Sequence, residues 1–324
     1  MGSTSKPKAG SKGFYPRVRA KSIVPKFNTF KDESGVKVQN FFGYKAGMHQ
    51  VFGVNKHKGS PYNGIKVRIP VTVIEVPKLT VTGLRFYKGK VGKTALKEFL
   101  FKKFLSKNID KTNSTLRKGK DKDIKEMDDF FNLNKEIISN VVILAETNPA
   151  EAGLPKKKSE IVEIYLSGKV EEQMVFIKDK LGKALTVDDF SKESAPLDVT
   201  AVSIGKGFQG VIKRFGVKRR HHKSQKGARK VGSIGPWHPP LIMWTAPMPG
   251  QMGFHTRTIL NCKYVGKCDF SKIPQSFGRY GTVKSEAIMV AGSVPGPKKR
   301  MVALRHGIRK FVDTKFDISE VLYN

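Results

Sequence analysis

Four of the chain's seven histidines, His221, His222, His238 and His255, fall in one stretch, Val199 to Cys268. Both cysteines, Cys262 and Cys268, lie there too, as do both tryptophans, Trp237 and Trp244. An imidazole can act as a general base, but it then needs an orienting group and a nucleophile within reach. The stretch contains no Asp and no Glu, so packing or nucleic-acid contact is the better role for these rings. His255 and the two thiols offer three zinc ligands, whereas structural zinc wants four, usually with closely paired cysteines. The spacing here is C-x5-C, an even offset that puts both side chains on one face of a regular strand, and two reduced thiols are expected. Gly205, Gly207 and Gly210 spell G-x-G-x-x-G after a predicted strand, the form of a dinucleotide fingerprint. That fingerprint needs a helix next and an acid about 20 residues on. VIKRFGVKRR carries β-branched residues, Gly216 and no apolar helical stripe, and no acid occurs before Asp269. The glycines then serve tight turns and close approach of backbone to phosphate.

Cations remain, and they point to a polyanion. Lys206, Lys213, Arg214, Lys218, Arg219, Arg220, Lys223, Lys226, Arg229, Lys230 and Arg257 follow one another with no counter-charge among them. Like charges in such number repel in a folded body unless an anion relieves them. A solvated face alternates signs, and this run does not; its Gly and Ser content also argues against one continuous helix. Phosphate contact along an extended path fits it best, with Gln225 and the four histidines on the same path. Trp237, in SIGPWHPP, is flanked by Pro236, Pro239 and Pro240, which disfavour regular strand or helix. An indole on a rigid tip beyond a run of cations is suited to stack on a base, and Trp244 follows in the same loop.

The whole composition agrees. The chain has 324 residues with 61 Lys and Arg against 27 acids, a net charge of +34. Charge of that sign and size implicates nucleic acid, an anionic membrane surface or an acidic protein. No run of 18 apolar residues is present, so no spanning helix is expected. The basic N-terminus has no apolar core of a secretory signal. Two cysteines suit a reducing compartment rather than a disulfide framework. Charge is segregated: the first acid, Asp32, follows eight cations, and 19 of the 27 acids fall between Glu98 and Asp198.

These residues need a frame. Residues 1–37 read as a basic arm, with Arg17, Arg19 and Lys21 toward RNA and Phe14, Tyr15 and Phe27 available to bases or sugars. Runs rich in Val, Ile, Thr, Phe and Tyr over 38–89 predict strands of an antiparallel barrel. Residues 90–194 read as an α/β insertion on the solvent side. There Leu96, Phe99, Leu100 and Phe104 trace a helical face, DIKEMDDFFNL a second helix and VEEQMVFIKDK a third, capped near Gly182. IISNVVILAE and IVEIYLSG are its strands. A barrel strand over 195–205 leads into the basic extension, 206–258. Barrel strands resume over 259–310, and 311–324 is a short mixed tail. The class is mainly β with an α insertion (α+β), around an antiparallel β-barrel core.

DVTAVSIGKGFQGVIKRFG, GARKVGSIGPWHPPLIMW and GQMGFHTRT resemble the universal large-subunit ribosomal protein three, in its archaeal and eukaryotic form. GFYPRVRAKS, FFGYKAGM and EAIMVAGSVPGPKKRMVALR match the same family in the same order. The modest length points to an archaeal-type member. The resemblance implies a β-barrel on the subunit surface, an arm and a central loop that enter ribosomal RNA, and Trp237 at the loop tip close to the peptidyl transferase centre. Arg229 and Lys230 match basic positions of that loop. Many eukaryotic members carry a histidine, sometimes methylated, where this chain has Gln225, which argues against that modification here. The expected function is a non-catalytic constituent of the large subunit in the cytoplasm, with ribosomal RNA and neighbouring ribosomal proteins as partners. No cofactor, metal, membrane, small-molecule substrate or homo-oligomer is expected. An RNA-modifying enzyme would need a cofactor site and an essential acid in the loop; a sequence-specific DNA binder would need a recognition helix or ribbon.

Overall fold

The structure, a computed structural model, describes residues 14–31, 33–56, 59–89, 93–106, 109, 123–156, 158–190, 196–225, 227–267, 276–309 and the backbone of 316–322. It divides into two compact units, Met1–Ile23 with Val202–Arg257, and Val24–Ala201 with Thr258–Asn324.

The larger unit is mostly β. Its first sheet is organised on β1 (Asn40–Asn55), which pairs antiparallel with β2 (Lys66–Glu75). The order then runs through β14 (Ala287–Ala291), β11 (Thr256–Lys267), β8 (Pro196–Val202) and β15 (Met301–His306). β15 pairs back onto the start of β1, from Asn40↔Arg305 to Tyr44↔Met301, so the path of strands is ring-like. The strands form because their runs are β-branched and aromatic, and because Phe41, Val71, Val199, Val290, Val302 and Leu304 are all buried in one core. LDVTAVSI is thus a ring strand, as its composition indicates. The tail is not mixed coil: Phe316–Leu322 forms β16 and pairs with the second half of β1, from Gln50↔Leu322 to Asn55↔Phe316. Tail alternation is weak, and a partner strand supplies what local propensity does not.

The ring buries charge with its partners. Asp198 accepts from Arg305 at 2.6 Å and from the Asn261 amide at 2.8 Å, while Arg305 also donates to the Thr29 carbonyl at 2.6 Å. Glu75 accepts from the Lys284 and Ser285 amides, each at 2.8 Å, and from the Tyr280 hydroxyl. Burial and that carboxylate push the Tyr280 phenol well above its usual range.

A second sheet has the order β4 (Thr94–Leu100), β3 (Leu79–Lys88), β5 (Ile138–Glu146), β6 (Ile161–Tyr165), with β7 (Ala184–Leu185) on β3. Two expectations fail here. β3 belongs to this sheet rather than the ring, because its partners are β4 and β5. The helix expected at TALKEFLFKKFLSKN is a strand followed by one 3-10 turn, Lys102–Phe104. Its i, i+3, i+4 spacing is overridden by pairing with β3, which buries Phe99 against Phe86 and lets Glu98 reach Arg85. The other two helices form as read: α1 (Ile124–Leu133) and α2 (Val170–Lys180), with Gly182 in the left-handed region just past the second. Phe130 and Phe131 of α1 pack on Phe86 with centroids 5.5 and 6.2 Å away. Gln173 of α2 is buried and accepts from the Val141 amide of β5 at 3.0 Å.

The arm is not one element. Residues 24–31 lie over the second sheet: Phe27 is buried in the core and Phe30 stacks on Tyr165 at 4.2 Å. Phe27 is therefore a core residue and not a platform for bases. Residues 14–23 belong to the smaller unit.

Candidate nucleic-acid interface

The smaller unit contains no carboxylate side chain. Its folded base is a two-stranded ribbon, β9 (Gly205–Gln209) with β10 (Gly250–Gly253), while the single-turn helix α3 (Val187–Phe190) belongs to the larger unit. In the smaller unit itself the ribbon leads into α4 (Val211–Phe215). A helix does follow the glycine motif, contrary to expectation, but Gly216 ends it after five residues with φ 69°. The strand before the glycines, β8, pairs antiparallel in the ring, and the first two glycines lie within the ribbon strand β9 itself, so the motif does not build a dinucleotide fold. Gly253, at φ 69°, is forced: a Cβ there would lie 2.1 Å from the Ile204 carbonyl oxygen.

Without acids, the cations of this base are placed by neutral acceptors. Arg214 donates through Nε to Gln251 at 3.0 Å, and through its terminal nitrogens to Met248 at 2.8 Å and Arg17 at 3.3 Å, all carbonyls. Arg17 returns a bond to the Arg214 carbonyl at 2.9 Å and lies 4.1 Å from the Phe215 ring centroid. Arg19 sits over Phe254 at 5.1 Å and Arg257 over Phe14 at 4.6 Å. Tyr15 meets Phe215 at 6.1 Å and the edge of Trp244 at 5.3 Å. The Ala20 amide donates to Phe254 at 2.8 Å, and the His255 ring pairs with the Val18 carbonyl at 2.7 Å. The arm is thus seated on the base of the extension. Carbonyls and π faces orient a guanidinium without cancelling its charge.

Beyond α4 the chain leaves regular structure. Lys213, Lys218, Arg219, Arg220, His221, His222, Lys223, Gln225, Arg229 and Lys230 are all exposed, as are Arg19, Lys21 and Lys206. Lys226 lies outside the described residues. A few short bonds shape the path, among them Arg220 amide to Ala228 carbonyl at 2.9 Å. At the far end Trp237 is 87% exposed and Trp244 67%, with Leu241, Ile242 and Met243 exposed between them and His238 beside Trp237. So much apolar surface in one segment marks a contact site.

Four of the residues expected to face RNA are engaged inside the unit, the first of them Arg17, on the Arg214 carbonyl and the Phe215 ring. Arg214 is half-buried on carbonyls, His255 is buried on Val18, and Arg257 is half-buried beside Phe14. Sequence reasoning missed two aromatic residues that build the base, Phe215 and Phe254, and the 75% exposed Phe208 on β9. A Phe in a glycine-rich run, two residues past Lys206, was the available signal. In the larger unit Cys262 is a buried thiol of β11, pushed up to about 11 by burial and the nearby Asp198 charge. Cys268 lies outside the described residues. Among the described residues no helix is long and apolar enough to cross a membrane.

The family model of ribosomal protein L3 matches residues 1–321. The chain is similar to the large ribosomal subunit protein uL3 of Methanococcus vannielii, 41% identical over 326 positions that cover 98% of this chain and 96% of the relative. The uL3 of Methanocaldococcus jannaschii is 39% identical over 94% of this chain and 92% of its own. That of Methanocorpusculum labreanum is 36% identical, with 94% and 93% covered.

Proposed function

The chain belongs to the ribosomal protein L3 family, and from that premise we propose that it is a structural, non-catalytic constituent of the large ribosomal subunit that binds ribosomal RNA. One observation carries the reading of mechanism: a compact unit without a single acid, whose exposed surface is cations and large apolar side chains. Cations such as Lys218, Arg219, Arg229 and Lys230 displace counterions from phosphates, and the apolar tip around Trp237 takes the bases. The ring-like sheet acts as a β-barrel body on the subunit surface, and the extension reaches toward the peptidyl transferase centre. Neighbouring large-subunit proteins are the remaining partners, and the cytoplasmic ribosome is the place of work. The α/β insertion keeps the acids away from the RNA.

Sedimentation tests the assignment: the protein should travel with the large subunit in near-stoichiometric amount. Affinity of the free protein for its ribosomal RNA should fall by roughly 10³-fold or more between 50 and 200 mM salt if six or more phosphates are met. A nearly flat salt response would overturn the electrostatic reading.

A further inference from the structure

Where the arm meets the base of the extension, the smaller unit encloses an open cavity of about 300 Å³. Arg17, Lys206, Arg214 and Arg257 line it, with Ser203 and His255. The volume is about ten times a water's share of the liquid, room for a tetrahedral oxyanion and some of its hydration. Four cations around one space repel, and no carboxylate of this unit can relieve them. The strain registers on two of them: burial and then the Arg17 charge hold both Arg214 and Arg257 below the usual guanidinium range. The Arg17 Nε is buried with no hydrogen-bond partner among the described residues, a state that a native structure rarely leaves unexplained. Arg214 spends its donors on three carbonyls, so it shapes the wall. Lys206 is exposed at the mouth and has donors to give.

We propose that this cavity is a built oxyanion site that takes a phosphoryl group, with Arg17, Lys206 and Arg257 as its ligands and Arg214 as the pin that holds its wall. Arg17 comes from the arm and the others from the extension, so the bound group ties the two together. That the group is a phosphodiester of RNA rests on the function proposed above; that the cavity takes the oxyanion does not.

The test uses the full chain. Inorganic phosphate is titrated against chloride at equal ionic strength, and amide exchange is followed at Ala20, which donates to Phe254 at the edge of the site. Phosphate should slow that exchange where chloride does not. The double variant Lys206→Met, Arg257→Gln should raise the half-saturating phosphate concentration by roughly tenfold or more. The control double variant Lys78→Met, Arg68→Gln removes two exposed cations of the larger unit and should leave it unchanged. Lys206→Met alone, at an exposed position, reads the same shift at smaller size should the Arg257 change disturb folding. Equal effects of phosphate and chloride, or equal behaviour of the cavity and control variants, would overturn the site. A second arm identifies the source. Iodine cleavage of phosphorothioate-substituted ribosomal RNA in the complex should show a phosphodiester protected by the parent and released by the cavity variant. Intact phosphate response with no such phosphodiester assigns the site to free phosphate. Intact phosphate response with no RNA binding at all would sink the proposed function and leave the cavity's chemistry standing.

Discussion

Trp237→Ala separates a contact residue from a core residue. The indole is 87% exposed, with the edge of the adjacent His238 ring 6.4 Å away. Of the about 250 Å² that a tryptophan can bury, it buries about 30 Å². At about 25 cal/mol per Å² that is below about 1 kcal/mol, so the free protein should unfold at nearly the parent's denaturant midpoint. In complex with RNA the same indole, stacked on a base, contributes on the order of 1–3 kcal/mol, or roughly 5- to 150-fold in affinity. Two measurements decide: chemical denaturation of free protein, and chemical probing of RNA in subunits assembled with the variant. Trp244→Ala is the internal comparison, because its edge contact with Tyr15 helps seat the arm. It should speed amide exchange at Ala20, and Trp237→Ala should not. A Trp237→Ala protein that unfolds several kcal/mol more easily would refute the exposed-tip reasoning. A variant that assembles with no nucleotide changed in reactivity would refute the stacking.

Three further outcomes follow from the larger unit. Asp198→Ala should cost about 3–5 kcal/mol in denaturant unfolding, because it strands the buried Arg305; Asp198→Asn should cost less. His306, half-buried with its ring on the Phe190 carbonyl at 2.9 Å, is held below its ordinary range by desolvation. Its contribution to stability is therefore full above about pH 6.5, the unfolded value, and is lost as pH falls through the lower folded value; the parent's midpoint should drop over that range, and that of His306→Gln should drop less. With its thiol near 11, Cys262 in a Cys268→Ser background should react with a disulfide reagent at pH 8 more than about a hundredfold slower when folded than when unfolded.

Charge was the most legible property of the chain. The acid-free stretch marks the smaller unit because sign segregation is written residue by residue and needs no fold to be seen. β-branched runs likewise marked most ring strands, and the helices at Ile124–Leu133 and Val170–Lys180 were marked by helix-forming composition and by Asp123 and Gly182 at their ends. What stayed hidden depends on partners distant in sequence. Thr94–Leu100 has helical spacing and becomes a strand because β3 offers it an edge. Phe316–Leu322 looks like tail and becomes a strand because β1 does. The seating of Tyr15 and Arg17 on Phe215 joins residues some 200 positions apart, and no local pattern encodes it. Arg214 and His255 were read as RNA contacts on type alone; their use inside the protein is a matter of geometry.

The return of β15 onto β1 has a consequence for synthesis. Asn40 and its partner Arg305 are about 265 residues apart, so at 5–20 residues per second roughly 15–50 s separate their appearance on the nascent chain. β2 can cover one side of β1 almost at once, but the other waits for β15 and β16. Throughout that interval β1 presents an open strand edge, the kind of surface that recruits wrong partners. Completing the body is thus a late event set by elongation, and slowing the ribosome between the codons for residues 75 and 300 should lengthen the time in which the chain is prone to aggregate.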